Sequence, residues 1–204
     1  MSAIAATELK PAEQLRAKTS ARMTDLLELP AIRKHVRPFS PEEYHRLGEM
    51  PVELLRGTVI QKMSKSPLHR FVADELRDMI AAQVGPKFTV FHEGPITTDD
   101  SEPEPDVSVV RGERASFRKM HPLTAELVIE VAVSSIEIDR VKASIYAEAG
   151  VREYWIVCPQ EKRVEIFREP REDGYAQTET VSNPTVIESS ALPGVRVDFG
   201  TLFA

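Results

Sequence analysis

The sequence predicts an α/β or α+β domain in which one mixed β-sheet is flanked by helices. Three observations carry this. Strand-like segments outnumber helical ones, and the two kinds are intermixed along the chain. The longest apolar runs, such as LVIEVAV at 127–133, are strand-sized and interrupted. With 204 residues and 42% apolar content, the chain suffices for one sizeable core but not for a second full domain.

Residues 1–37 read as an N-terminal appendage, disordered or a docking helix. They show a weak helical period through Leu15, Met23, Leu26, Leu27 and Leu29 and a basic end at Arg33, Lys34, His35 and Arg37. The domain spans 38–204 and opens on a short helix in which Ser40 caps, Pro41 takes the first helical position and Glu43 reaches back. Strands at 52–55 and 58–63 follow, joined by the hairpin signal Arg56-Gly57. Ser66-Pro67 starts a second helix, whose stripe Leu68, Val72, Leu76, Met79, Ile80 and Val84 ends at Gly85-Pro86. Strands are expected at 87–92, 94–98, 106–110 and 127–133, with a polar, basic loop at 111–125. A third helix, capped by Ser134, runs through Ile138, Val141, Ile145 and Ala149 to Gly150. YWIVCP at 154–159 is a buried strand, RVEIFRE at 163–169 a half-exposed one, and two or three short strands and a turn at 199–203 close the chain.

Composition excludes several classes. Cys158 is the sole cysteine, which rules out an internal disulfide and a multi-cysteine zinc site within one chain. With no signal peptide evident, a reducing, cytoplasmic setting is expected. No apolar run approaches the roughly 20 residues of a membrane span. The net charge of −6 argues against coating nucleic acid by bulk electrostatics, although the first 40 residues carry seven Lys or Arg against four acids.

The chemistry concentrates on two acids. Asp106 stands at the mouth of one apolar strand, after Pro105, and Glu130 sits inside the next, 24 residues later. Val128, Glu130 and Ala132 share one face of that strand while Ile129, Val131 and Val133 share the other, so Glu130 replaces a core residue. A carboxylate there loses several kcal/mol of solvation unless a cation, a proton or hydrogen bonds compensate it. A divalent metal would do so, as would a structural Arg or Lys; for Asp106 the competing reading is a turn. Asp139, Lys142 and Tyr146 form one stripe of the third helix, either a surface ion pair or a group reaching the same cleft. Glu53, among apolar residues of the first hairpin, and His69, in the first turn of the second helix, complete the set.

These residues resemble the PD-(D/E)XK nuclease superfamily and, more narrowly, the Uma-two family of restriction-endonuclease-like proteins. The likeness covers about residues 38–204, through VELLRG at 52–57, SPLHR at 66–70, EPDVSVV at 104–110, LVIEVAVSS at 127–135, DRVKASIYAEAGVREYWIVCP at 139–159 and LPGVRVDF at 192–199. It implies a restriction-endonuclease-like core in which Asp106 and Glu130, with Glu53 as a third carboxylate, hold Mg2+ or Mn2+. The superfamily lysine two residues after the glutamate is Ala132 here, and Lys142 is implied as its replacement from the helix. Arg56 and Thr58 flank the hairpin glycine where the family often carries acids, and Ser-Ser-Ile-Glu after Val133 lacks the family's common proline.

The resulting expectation is a metal-dependent endonuclease acting on DNA. Asp106, Glu130, Lys142 and Glu53 are the catalytic set, and His69, Tyr146, Arg114, Arg118 and Lys119 contact substrate, the basic loop together with Arg111 on the backbone. The competing expectations are a nuclease fold without activity, serving in DNA binding or protein interaction, and a purely structural oligomer. A homodimer is expected by analogy with enzymes that cut both strands.

Overall fold

The structure, a computed structural model, describes residues 37–48, 50–133 and 136–203. The expected N-terminal appendage therefore falls almost wholly outside the described residues, as does the Ser134 cap. Helix α1 (Pro41–His45) starts as the sequence suggests. The Ser40 hydroxyl accepts from the Glu43 amide at 3.3 Å and the Glu43 carboxylate accepts from the Ser40 amide at 3.1 Å. Strands β1 (Val52–Leu55) and β2 (Thr58–Gln61) form a hairpin whose two turn residues, Arg56 and Gly57, both have positive φ, 51° and 70°. A two-residue turn of this hand matches the twist of paired strands. Arg56 secures the turn by forking onto Glu148 and reaching Asp100.

The central sheet has six strands in the order β3 (Phe88–His92), β4 (Val107–Arg111), β5 (Leu127–Val131), β6 (Glu153–Cys158), β7 (Arg163–Arg171) and β8 (Gly174–Ser182). Only β5 and β6 run parallel, and helix α3 (Ile136–Glu148) connects them. Side-chain alternation on β5 divides the core. Leu127, Ile129 and Val131 pack with Val72, Ala73, Leu76 and Ile80 of helix α2 (Pro67–Ala81), while Val128 and Ala132 pack with Ala143 and Tyr146 of α3. A small sheet of β9 (Val186–Glu188) and β10 (Arg196–Asp198), followed by the short α4 (Phe199–Leu202), sets Val197 and Phe199 against the α2 side of the core.

Two expectations change. The segment 94–98 is not a strand: Pro95, Pro103 and Pro105 interrupt a loop that folds on itself, with the Ile96 amide donating to the Pro103 carbonyl at 3.0 Å. Ile96 is nevertheless fully buried, which explains its strand-like appearance. On α3 the buried face is rotated from the apolar stripe. Val141 is 58% exposed, whereas Asp139, Lys142 and Tyr146 are buried. The helix turns its polar stripe inward because those groups meet partners there.

An ion pair fastens the far half of the sheet. Glu153 on β6 is wholly buried and accepts from Arg168 Nε at 2.9 Å, the Ser189 hydroxyl at 2.6 Å and the Ala191 amide at 3.1 Å. Arg168→Ala strands that carboxylate without its cation. A loss of about 3 kcal/mol is expected, measurable by urea unfolding.

Candidate active site

Register brings the two acids together. Val107 on β4 pairs with Ile129 on β5, so Asp106 and Glu130 stand opposite one another one step further along the antiparallel pair. The Asp106 amide points at Glu130 Oε2 at 3.4 Å, and Asp106 Oδ2 accepts from the Val131 amide at 2.8 Å. Like charges placed opposite each other across strands repel, and both acids are at most 4% exposed.

Hydrogen-bonding groups, two of them lysines, converge on them from two sides. Lys142 on α3 donates to Glu130 Oε1 and to Glu53 Oε2, both at 3.0 Å, and Tyr146, one turn on, donates its hydroxyl to Glu130 Oε1 at 2.8 Å. From the start of α2, Lys65 donates to Asp106 Oδ1 at 2.7 Å and His69 Nε2 lies 3.0 Å from Oδ2. Ser66 caps α2 by accepting from the His69 amide at 3.2 Å, which fixes the imidazole in the first turn. Glu53, Lys65, His69, Asp106, Glu130 and Lys142 line a cleft of about 160 Å³, into which Asp139 also opens.

The two carboxyls respond in opposite directions. For Asp106, burial pushes upward, but the His69 hydrogen bond and the Lys65 ammonium outweigh it and hold the carboxyl at about 2. For Glu130, burial dominates and the charges of Asp106, Asp139 and Glu53 add to it; against the opposing Lys142, the carboxyl rises to about 8. Burial likewise lifts Asp139 to about 6, with Lys142 opposing. Burial disfavours the Lys142 ammonium, yet Glu130, Glu53 and Asp139 more than restore it and keep it charged.

The sequence-derived set thus divides. Asp106, Glu130, Glu53, Lys142 and His69 share the cleft. Tyr146, expected to contact substrate, is fully buried and does not line it; its hydroxyl donates to Glu130 from behind. Arg114, Arg118 and Lys119 do not line the cleft either; they are exposed on and after the 3-10 turn Arg114–Phe117, where Arg114 lies 5.9 Å from the Phe91 ring. Arg111 pairs with Glu126 at 2.8 Å. The structure adds Lys65, Asp139 and the pair Lys62–Glu104 at the rim. Asp139 was visible as part of a stripe with Lys142 and Tyr146. Lys65 left no periodic signal, because it precedes the capping residue of α2.

Residues 41–200 match a protein family described as "Uma2: Putative restriction endonuclease". The chain belongs to the Uma2 family. A solved structure, described as "a putative nuclease belonging to DUF820" from Anabaena variabilis ATCC 29413, shares this Uma2 fold. Its TM-score is 0.70 at 22% identity, over 81% of this chain and 98% of the other. A comparison with curated proteins gives no match. Among the described residues of this Uma2 chain, no helix is long and apolar enough to cross a membrane.

The donors in the Uma2 cleft fit a hard, oxygen-preferring dication. Glu53, Asp106, Glu130 and Asp139 supply carboxyl oxygens close to one another, and the rise of Glu130 to about 8 shows that the cations beside it, Lys142 foremost, do not fully offset burial and the neighbouring acids. Lys142 Nζ, between Glu53 and Glu130, marks a place where positive charge is favoured.

Proposed function

We propose that this protein is a metal-dependent endonuclease that hydrolyses phosphodiester bonds in DNA. The observation that carries the reading is the convergence of Asp106 and Glu130 from neighbouring strands with Lys142 in one cleft. Asp106 and Glu130, with Glu53 beside them, would hold Mg2+ or Mn2+. When bound, such an ion supplies Lewis acidity toward a phosphoryl oxygen and a more acidic water.

The remaining steps belong to the chain. Asp106 stays ionised at neutral pH and is ready as a ligand, whereas Glu130 must give up its proton before it can serve. Lys142 stays charged and either orients the attacking water or offsets negative charge developing on the phosphoryl group. Its reach from α3 supports its standing in for the lysine absent at Ala132. Tyr146 fixes the Glu130 carboxyl, Lys65 and His69 fix that of Asp106, and the Lys65 ammonium presents positive charge to a polyanion. A homodimer would supply one such site per strand.

The test is conversion of supercoiled plasmid to nicked and linear forms with Mg2+ or Mn2+, comparing the wild type with Asp106→Ala. The wild type should cut only with metal, and the variant should be slower by about a thousandfold. Equal rates in both proteins would refute the assignment. Absence of cutting by the wild type on duplex and single-stranded DNA would leave the fold as a binding module.

A further inference from the structure

We infer that His45, Glu102 and His121 form a second metal site, specific for a zinc-class ion and separate from the acidic cleft. The three residues come from three segments: the last turn of α1, the loop between β3 and β4, and the stretch between the 3-10 turn and β5. Each offers one ligand atom, and these atoms all lie within 4.8 Å of one another. His45 Nε2 stands 2.9 and 2.8 Å from the two oxygens of Glu102, and the His45 and His121 rings meet edge to face with centroids 6.2 Å apart.

Glu102 makes the grouping more than a surface coincidence. Its side chain is only 4% exposed, yet no Lys or Arg among the described residues forms a salt bridge with it. Apart from His45, its side-chain partner is the Thr97 hydroxyl, which donates to Oε2 at 2.7 Å. A buried carboxylate met by one half-exposed imidazole is under-compensated. A second imidazole brought to the same point adds repulsion if both rings are protonated. A dication removes that conflict, because neutral rings then act as donors and the carboxylate gains its counter-charge.

The donor set selects the ion. Two imidazole nitrogens and one carboxylate suit Zn2+, whose open sites keep three protein ligands and one water, whereas Mg2+ prefers oxygen donors. A groove of about 440 Å³ bordered by Tyr44, His45, Met50, Val52 and Glu102 leaves room for that water. Closing the ligand atoms to tetrahedral spacing, about 3.4 Å apart for bonds of roughly 2.0–2.1 Å, asks small movements of two exposed histidines.

The site would act as a staple. The Glu102 amide donates to the Leu54 carbonyl at 2.7 Å, and two residues on the Glu104 amide donates to Glu53 Oε2 at 3.3 Å. An ion on Glu102 therefore ties α1 and the loop before β5 to the segment that delivers Asp106. The inference is independent of phosphodiester chemistry.

The experiment titrates chelator-treated, full-length protein with Zn2+ by calorimetry and with Co2+ by visible absorption, and records melting temperature with and without Zn2+. The proteins are the wild type, His45→Ala/His121→Ala, His121→Gln alone and Asp106→Ala/Glu130→Gln. The acid double variant should bind one equivalent, and both it and the wild type should show the d–d bands of low-coordinate Co2+ and melt higher with Zn2+. The histidine double variant should bind at least about 100-fold more weakly, and His121→Gln, altered at an exposed side chain, should lose the Co2+ bands while melting normally without metal. Wild-type affinity and bands in the histidine variants, no binding by the wild type, or a loss that follows the acid pair would each overturn the inference.

Discussion

Glu130→Gln is expected to lower metal-dependent plasmid cleavage by about a thousandfold or more while leaving the fold intact. The amide keeps an oxygen for Lys142 and Tyr146, which meet Glu130 Oε1 at 3.0 and 2.8 Å, so local packing survives. It cannot become an anion. Because burial raises the Glu130 carboxyl from 4.5 to about 8, the folded state holds this proton more tightly than the unfolded chain does. Stability from this group is therefore fully present below about pH 4.5 and falls as pH rises toward 8. The glutamine variant lacks that slope. Urea unfolding without metal at pH 5, 7 and 8.5 should show a flatter pH profile for the variant than for the wild type. Calorimetry should show wild-type Mn2+ affinity rising between pH 6 and 8, since the ligand must lose its proton first, and no such rise in the variant. Wild-type cutting by Glu130→Gln would sink the catalytic assignment outright.

The site's backbone was legible because it obeys a period of two. Reading Val128, Glu130 and Ala132 as one face correctly placed an acid among core positions, and that face does pack on α3. The pairing of β4 with β5 followed from a connecting loop long enough to let the strands become neighbours, and the capping residues of α1 and α2 are where the sequence puts them. What failed has a common physical cause. Apolar residues alone point helix α3 inward along a stripe that includes Val141, which the structure has outside. The face that wins carries Asp139, Lys142 and Tyr146, whose burial is favourable only through mutual hydrogen bonds and charges invisible to a hydropathy pattern. Ile96 misled in the opposite sense: its burial comes from a folded loop rather than a strand. Lys65 and the grouping of His45, Glu102 and His121 depend on contacts between segments 41 or more residues apart or on separate loops, which no local spacing encodes.

Lys142→Met should separate electrostatics from packing at the centre of the cleft. Methionine keeps most of the aliphatic stem but removes the ammonium that lies 3.0 Å from both Glu53 and Glu130, at a position only 4% exposed. Two facing buried carboxylates then lose their shared cation, a change that typically costs about 3–5 kcal/mol. The cost depends on pH with a definite sign. Lys142 is the group that opposes the rise of the Glu130 carboxyl, so its loss moves that carboxyl further above 4.5 and extends the range over which only the folded state keeps the proton. At pH 5.5 Glu130 is protonated in the fold with or without Lys142, and the variant should be destabilised least. Between pH 7 and 9 the penalty should grow, because the wild type ionises Glu130 against Lys142 at about 8 whereas the variant keeps holding the proton at a cost that rises with pH. Under the proposed function Mn2+ restores part of the lost stability at pH 8, because a dication can replace the missing charge, while cleavage stays about a hundredfold or more below wild type for want of the ammonium. Equal destabilisation at pH 5.5 and pH 9 would mean that Lys142 acts by filling space, and full cleavage by Lys142→Met would remove it from the catalytic set.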